Sequence, residues 1–348
     1  MQVFTLRFEL KMNNFHYKQP FLLESGKILP EITISYHTYG QLNDKKDNVI
    51  WVCHALTANS EAAEWWPGVI GKDCAINPDK YFIVCANILG SCYGSTGPLS
   101  INPVTGQPYY NDFPAITIRD MVKAHQLLFN HLEIADIHLL MGGSMGGYQA
   151  LEWSIMEPSK INLLFIIATS AKETAWGIAI HTAQRLAIEA DCTFNQSSRE
   201  SGQKGLKAAR AIGMLTYRGY NSFMATQNDT DFNKTDHFRV SSYIEHQGNK
   251  LVKRFNAYSY WFLTKAMDSH NIARNRTNTL EEALKIIKQK TLIIGVNTDI
   301  LCPLTELQFL AAYIPDNNFY SIDSIYGHDG FLVESKTINN YLLSWLNH

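Results

Sequence analysis

The stretch IHLLMGGSMGG, residues 137–147, decides the fold. It begins as an apolar run typical of a buried strand, and Gly142, Ser144 and Gly146 then follow in the spacing G-x-S-x-G. The residues after them have the apolar periodicity of a helix. A serine on such a sharp turn needs neighbouring glycines, because a side chain there would strike the adjacent chain. We therefore predict a nucleophile elbow with Ser144 as a catalytic serine; a glycine-rich structural turn is the alternative.

Other apolar, β-rich runs accompany the serine strand along the chain. They cover residues 49–56, 81–89, 137–141, 163–170 and 291–297. Runs that are apolar almost throughout are typical of parallel strands covered on both faces. Helical patterns over 118–132 and 280–287 separate several of them. The alternation predicts an α/β fold with a mostly parallel, doubly wound sheet and helices on both faces.

Near the N-terminus, an antiparallel hairpin is expected at the edge of this sheet. Its two arms would be residues 21–23 and 32–36, on either side of the turn sequence Ser25-Gly26-Lys27.

The strand–helix alternation stops between Ser170 and about Asn278. Helical segments are predicted at 178–190, 204–216 and 257–267, in a stretch rich in Arg, Lys, Asn and Tyr. Because the stretch starts directly after a strand and the α/β pattern resumes behind it, we interpret residues 171–278 as a helical lid inserted into the core. Residues 1–170 and 279–348 would form that core. A separate domain is the weaker alternative.

A serine hydroxyl needs a base within hydrogen-bonding reach, and a carboxylate to hold that base in one tautomer. In folds with this elbow, the acid follows a late strand and the histidine lies in a loop near the C-terminus. The sequence supplies Asp299 at the end of the run TLIIGVNTD and His328 within YGHDGF. We predict the triad Ser144, Asp299 and His328. His54 is the best rival base and Asp323 the best rival acid.

An oxyanion hole requires backbone N–H groups directed at the developing negative charge. One is expected from Met145, the residue after the nucleophile. The other is expected from Leu56 in the segment HALTANS, which follows an earlier strand.

Composition excludes several classes of protein. The chain of 348 residues is 46% hydrophobic and 18% charged, with a formal net charge of −2, so nothing predicts binding to nucleic acid or to an anionic membrane. No apolar run is long enough to cross a bilayer, and no secretory signal is evident. No spacing typical of metal ligands occurs. Six cysteines without a C-x-x-C pair suggest reduced thiols, and we expect a cytoplasmic protein.

Several blocks together resemble one family. HALTANS, NILGSCYGSTGP, GGSMGGYQALEW, HQGNKLVKRF and YGHDGFLVE are similar to segments of the homoserine O-acetyltransferases, which are acyltransferases of the α/β-hydrolase fold. The resemblance runs from about residue 20 to residue 335. It implies acetyl transfer from acetyl-CoA to the γ-hydroxyl of L-homoserine, by a ping-pong acyl-serine mechanism, for methionine biosynthesis. It also implies a homodimer, and we expect no permanently bound cofactor or metal.

The resemblance also assigns roles to single residues. It places the nucleophile at Ser144, the acid at Asp299 and the base at His328. Arg210, within GLKAARAIG, matches a lid arginine of the family and would bind the homoserine carboxylate. Asp329 follows the catalytic histidine and would bind the substrate ammonium group.

Alternatives to this function keep the same fold. The nearest is an O-succinyltransferase acting on homoserine or serine; the next is an esterase, because the same triad passes acyl groups to water. A non-enzymatic binding protein is disfavoured by the intact triad positions. The sequence departs from the family's usual pattern at Cys302, where an aromatic residue is common, and in a short loop after HALTANS.

Overall fold

The apolar runs form the strands of one large sheet. The computed structural model describes residues 11–347. Within them lie ten strands: β1 (Asn13–Tyr17), β2 (Phe21–Leu22), β3 (Ile28–Leu29), β4 (Ile32–Tyr39), β5 (Val49–Cys53), β6 (Phe82–Ala86), β7 (Ile137–Gly143), β8 (Ile161–Ile167), β9 (Lys290–Val296) and β10 (Asn317–Ile322).

Eight of these strands form the main sheet, in the order β1-β4-β6-β5-β7-β8-β9-β10. The last six strands of this order, β6-β5-β7-β8-β9-β10, pair in parallel. The first two strands of the order, β1 and β4, are antiparallel and close one edge. The mostly parallel sheet predicted from the sequence is therefore confirmed.

All five predicted strands are present, with ends shifted by a few residues. The strands β1 and β10 were not predicted. Each lies at an edge of the sheet, where one face and one row of backbone groups meet solvent, so neither has the continuous apolar character of a buried strand.

The predicted N-terminal hairpin is wrong in its pairing. The turn at Ser25-Gly26-Lys27 joins β2 to β3, which form a separate two-stranded sheet. Residues 32–36 belong to β4, which pairs with β1 and β6 instead. Pro30 separates β3 from β4, and because proline has no backbone N–H it cannot continue a ladder, so the chain leaves the hairpin there.

Twelve α-helices lie within the described residues: α1 (Ala62–Trp65), α2 (Ile118–His131), α3 (Met145–Met156), α4 (Ala175–Glu189), α5 (Gln203–Tyr217), α6 (Tyr220–Gln227), α7 (Arg239–Val252), α8 (Ala257–Asp268), α9 (Leu280–Leu284), α10 (Leu304–Tyr313), α11 (Gly330–Val333) and α12 (Ser335–Leu346). The predicted helix at 118–132 is confirmed as α2. Its start is fixed by a capping box in which Thr117 and Asp120 satisfy each other's backbone N–H groups. Across residues 11–347, none of the helices has both the length and the apolar character of a membrane span.

Alternate residues of each central strand face two different cores. In β5, Val49, Trp51 and Cys53 pack into a core with α2 and α3. The intervening Ile50 and Val52 pack into a second core with α12, whose Leu342 is fully buried. The sheet is thus covered on both faces, which explains why its central strands are apolar at nearly every position.

The chain between β8 and β9 is helical. It contains α4, α5, α6, α7 and α8, and the structure describes every residue of it. Helices were predicted at the positions of α4, α5 and α8, whereas α6 and α7 were not. We refer to residues 175–268, which hold these five helices, as the helical insertion. The boundaries 171 and 278 of the lid stay a prediction.

Candidate active site

The serine of the elbow occupies a strained turn between β7 and α3. Ser144 has φ 55° and ψ −128°, a conformation that L-residues rarely adopt. Its N–H donates to the carbonyl of Ile167 (3.1 Å), and Thr169 Oγ1 donates to its carbonyl (3.0 Å), so the turn is held from β8. A Cβ on Gly146 would collide with the carbonyl oxygen of Cys53, so the close approach of α3 to β5 requires glycine there.

Ser144 lies within hydrogen-bonding distance of the predicted base. His328 Nε2 is 2.9 Å from Ser144 Oγ, and His328 Nδ1 is 2.7 Å from Asp299 Oδ2. A carboxylate accepts only, so Nδ1 carries a proton and Nε2 is left to accept the hydroxyl proton. Three residues far apart in sequence therefore form one continuous hydrogen-bonded relay, and all three are buried.

The turn after β9 holds Asp299, the acid of this relay, in place. Asp299 Oδ1 accepts hydrogen bonds from the backbone N–H groups of Leu301 (2.8 Å) and Cys302 (2.9 Å). Its other oxygen faces the imidazole. A carboxylate with both oxygens bound has little freedom to rotate, so it fixes the plane of the His328 ring.

The environment of His328 sets its basicity. Burial would lower the pKa of this imidazole, but the adjacent Asp299 carboxylate outweighs burial, and Asp329 acts in the same direction. The pKa of His328 is consequently raised above 6.5.

The rival residues from the sequence do not reach the serine hydroxyl. His54 hydrogen-bonds through Nδ1 to the carbonyl of Ala55 (2.9 Å), and its Nε2 accepts from the N–H of Ile88 (3.2 Å). Burial lowers its pKa to about 4, so it is a neutral structural link between two strand ends. Asp323 is exposed and accepts a hydrogen bond from Asn297.

Two backbone N–H groups at the predicted oxyanion positions have no acceptor among residues 11–347. They belong to Leu56 and Met145. Met145 is the first residue of α3, where no carbonyl four residues earlier completes the helical pattern. The loop carrying Leu56 is tied to α3 by Gln149, whose Nε2 donates to the carbonyl of His54 (3.1 Å).

A cavity of about 540 Å³ opens onto Ser144 and His328. Core residues and helices of the insertion both line it. From the core come Leu56 and Asp329, and from the insertion comes Arg210. Helices of the insertion therefore contribute residues to the cavity.

The structure brings Arg210 and Asp329 into that same cavity, although they do not contact each other within ion-pairing distance. Arg210 lies over the ring of Tyr217 (5.1 Å from its centroid) and has no carboxylate within 4 Å in the described part of the chain. Asp329 Oδ2 is 2.8 Å from Arg218 Nε. Burial raises the pKa of Asp329, while Arg218, His328 and Arg210 oppose that rise.

Sequence reasoning missed Tyr217, Arg218 and His181. Tyr217 and His181 line the cavity, and Arg218 pairs with Asp329. The approach of Arg218 depends on Gly327, where a Cβ would lie 2.7 Å from the backbone nitrogen of Gly219. Helical periodicity could not single these residues out, because a partner about a hundred positions away leaves no local signal.

Three potential metal ligands also lie close together here. Donor atoms of Asp299, Cys302 and His328 are all within 4.8 Å of one another. Burial raises the pKa of the Cys302 thiol well above 9, so the sulfur is protonated rather than a thiolate. Since both other donors already bind each other, the group is explained by the hydrogen-bonded relay.

Comparison with known proteins identifies the family of this chain. Residues 48–335 match the family described as the alpha/beta hydrolase fold. The chain is 48% identical to a homoserine O-acetyltransferase of Cyclobacterium marinum, over 98% of this chain and 96% of the relative. A crystal structure of homoserine O-acetyltransferase from Bacillus anthracis superposes with a TM-score of 0.89 at 26% identity, covering 97% of this chain and 98% of the other.

A hydrolase shares the same architecture. An acetylester hydrolase from Corynebacterium glutamicum superposes with a TM-score of 0.86 at 23% identity, over 97% of this chain and 96% of its own. At that identity the likeness extends to the fold alone. The full-length similarity at 48% identity is more specific, and this chain belongs to the homoserine O-acetyltransferase family of the α/β-hydrolase fold.

Proposed function

We propose that the protein transfers an acetyl group from acetyl-CoA to the γ-hydroxyl of L-homoserine through an acetyl-serine intermediate. The observation that carries this proposal is the unbroken relay of Ser144, His328 and Asp299, which opens into a cavity lined by Arg210. Among residues 11–347, no carboxylate lies within 4 Å of the Arg210 guanidinium. A serine relay supplies acyl transfer, and a fixed cation beside it suits an acceptor that carries a carboxylate.

In the first half-reaction, Ser144 Oγ attacks the thioester carbonyl while its proton passes to His328 Nε2. The Leu56 and Met145 amides donate to the oxyanion of the tetrahedral intermediate. Collapse of that intermediate breaks the carbon–sulfur bond, and the imidazolium returns its proton to the leaving thiolate. CoA leaves, and the acetyl group stays on Ser144.

In the second half-reaction, homoserine takes the place of CoA. Its carboxylate binds Arg210, and its ammonium group binds Asp329, which keeps one oxygen outside the pair with Arg218. His328 removes the γ-hydroxyl proton as that oxygen attacks the acetyl carbon. Collapse of the second tetrahedral intermediate releases O-acetylhomoserine and returns the proton to Ser144.

Water competes with homoserine for the acetyl-enzyme. It is present at about 55 M, whereas well-oriented groups reach effective concentrations of about 10⁵ M or more. Contacts at both ends of the amino acid hold its hydroxyl in one place, and the helical insertion, acting as a lid, limits the access of water. Transfer then outpaces hydrolysis.

The remaining parts of the proposal follow from the family. The product would feed methionine biosynthesis in the cytoplasm, with the enzyme acting as a homodimer. Acetyl-CoA would be a co-substrate, and no permanently bound cofactor or metal is needed by the steps above. The partners would be small molecules, without nucleic acid or membrane.

Hydrolysis of acetyl esters is the second candidate, because a hydrolase has the same fold. An esterase has no need for Arg210 and Asp329 beside the relay, and this disfavours it. An O-succinyltransferase would use the same relay with a larger acyl group, and serine would be a shorter acceptor.

A matrix of thiol-release assays separates these candidates. The purified protein is mixed with acetyl-CoA or succinyl-CoA, and each donor is combined with homoserine, serine or water alone. We expect sustained release only for acetyl-CoA with homoserine, and a single turnover when no acceptor is present. Equal rates with water and homoserine would instead identify a hydrolase.

A further inference from the structure

A second cavity, of about 560 Å³, adjoins the catalytic one. Three basic side chains line it: Arg199, Lys253 and Arg254. Arg254 also lines the catalytic cavity, as does Lys250 one helical turn before it. We call these four residues the basic rim. It runs from the mouth of the catalytic cavity into the second one.

The basic rim lacks acidic partners. Among residues 11–347, no carboxylate lies within 4 Å of its four cationic groups, whereas Arg185 and Arg218 of the same insertion are both paired. One carboxylate, that of Glu200, lines the second cavity, and it hydrogen-bonds to Ser198 Oγ (2.7 Å). Unpaired cations around a cavity attract an anion, since they repel one another in its absence.

Arg254 connects this cavity to the chemistry. Its guanidinium donates to the carbonyl of Thr57 and to the hydroxyl of Tyr93 (2.6 Å). Thr57 follows Leu56, whose amide faces the proposed oxyanion. A ligand held at Arg254 therefore lies beside the loop that receives the thioester carbonyl.

The second cavity also includes the start of α8, a helix of twelve residues. Asn256 caps this helix by accepting a hydrogen bond from the N–H of Ser259 (2.8 Å). The positive end of the helix dipole adds to the field of the three cations. The cavity is large enough for a drug-sized ligand.

We propose that the second cavity binds the phosphate groups of the acyl-CoA donor, whose pantetheine arm passes Arg254 to reach Ser144. This inference rests on the proposed function, because it assumes a CoA thioester as donor. CoA carries a diphosphate and a 3′-phosphate at one end and its thiol at the other. The second cavity would hold the phosphate end of CoA, and the adjoining catalytic cavity would hold the thioester end beside Ser144.

The test removes two cations that contact neither the relay nor the oxyanion loop. The double variant Arg199→Ala/Lys253→Ala is titrated with CoA and with pantetheine, which lacks the phosphates. We expect CoA affinity to fall about tenfold, as for two ion pairs near the surface, while pantetheine affinity stays at its wild-type value. The control Lys285→Ala/Lys288→Ala removes the same amount of positive charge. Both lysines are exposed and precede the N-terminal end of β9, outside the second cavity, so this variant should bind CoA as wild type does.

Further arms identify the source of the anion. 3′-Dephospho-CoA should bind wild-type protein less tightly than CoA, and added salt should weaken CoA binding more for wild type than for the double variant. The proposal is overturned if the double variant binds CoA as tightly as wild type does, or if its affinities for CoA and pantetheine fall equally. It is also overturned if wild type binds CoA no more tightly than pantetheine.

Binding is measured without catalysis, so the two proposals fail separately. Absence of acetyl transfer to homoserine would refute the proposed function, whereas the titrations would still decide whether this cavity recognises the phosphates of CoA.

Discussion

The core and the helical insertion contribute differently to the same cavity. In the core, Ser144, His328 and Asp299 are buried and bound to one another at 2.7–2.9 Å. In the insertion, Arg210 has no acidic partner in the described chain and Arg218 pairs across to Asp329. The core thus contains the complete hydrogen-bonded relay, whereas the insertion adds charged side chains to the cavity.

This difference separates the chemistry from the choice of acceptor. In the proposed mechanism, a relay completed within the core would form the acyl-enzyme whatever the acceptor is. Of the charges contributed by the insertion, Arg210 would act on the acceptor and the basic rim on the donor. We therefore expect changes in the core to affect both half-reactions, and changes in the insertion to affect one.

Removal of the proposed nucleophile should have the largest effect. Ser144→Ala removes the hydroxyl that would accept the acetyl group, so thiol release from acetyl-CoA should fall by roughly 10⁴-fold or more. The measurement is the initial rate of thiol release, with CoA binding and thermal unfolding as checks that the fold is intact. A retained burst of one thiol per protein would show that Ser144 is not the nucleophile.

Asp299→Asn should rank next. It removes the charge that supports the imidazolium and the acceptor that fixes its tautomer, so both half-reactions should slow by as much as about 10⁴-fold. Asp323→Asn is the matched control, because that carboxyl group is exposed and contacts Asn297. Comparable losses in the two variants would contradict the assignment of the acid.

The rate of acylation should depend on pH, and Asp299→Asn should change that dependence. Only the neutral imidazole accepts the serine proton, so acylation should be lost as the pH falls through the pKa of His328, which lies above 6.5 in the free enzyme. In Asp299→Asn, burial remains but the raising charge is gone, so the midpoint should move to lower pH. A midpoint that stays in place would show that another group controls the rate.

Arg210→Ala tests the insertion. Loss of a bidentate contact to a carboxylate should reduce kcat/KM for homoserine by about 10- to 100-fold, while acylation by acetyl-CoA keeps its rate. Lys204→Ala, an exposed change on the same helix α5, should leave both half-reactions unaltered. If Arg210→Ala slowed acylation equally, the division between core and insertion would be wrong.

Asp329→Asn should have the smallest effect. We expect KM for homoserine to rise about tenfold through the lost contact to its ammonium group. Because the Asp329 carboxylate also helps to raise the pKa of His328, the acylation midpoint should shift down less than in Asp299→Asn. Unchanged KM values would remove Asp329 from acceptor binding.

The sequence predicted the core better than the insertion, for physical reasons. Buried parallel strands and an elbow with glycines on both sides of the serine leave local patterns, so β5 to β9 and the relay residues could be identified. Edge strands such as β1 and β10 lack that pattern. The pairing of β4 could not be predicted because it depends on Pro30, which ends the short hairpin of β2 and β3. The family resemblance supplied Arg210 and Asp329, but the pairing of Arg218 with Asp329 depends on tertiary contact.

Mass spectrometry of the protein mixed with acetyl-CoA, before and after homoserine is added, tests the central claim most directly. The account predicts that the peptide containing Ser144 gains one acetyl group when no acceptor is present, and that homoserine removes it as O-acetylhomoserine. Transfer to homoserine without any acetylated protein, or an acetyl group that homoserine fails to discharge, would contradict it.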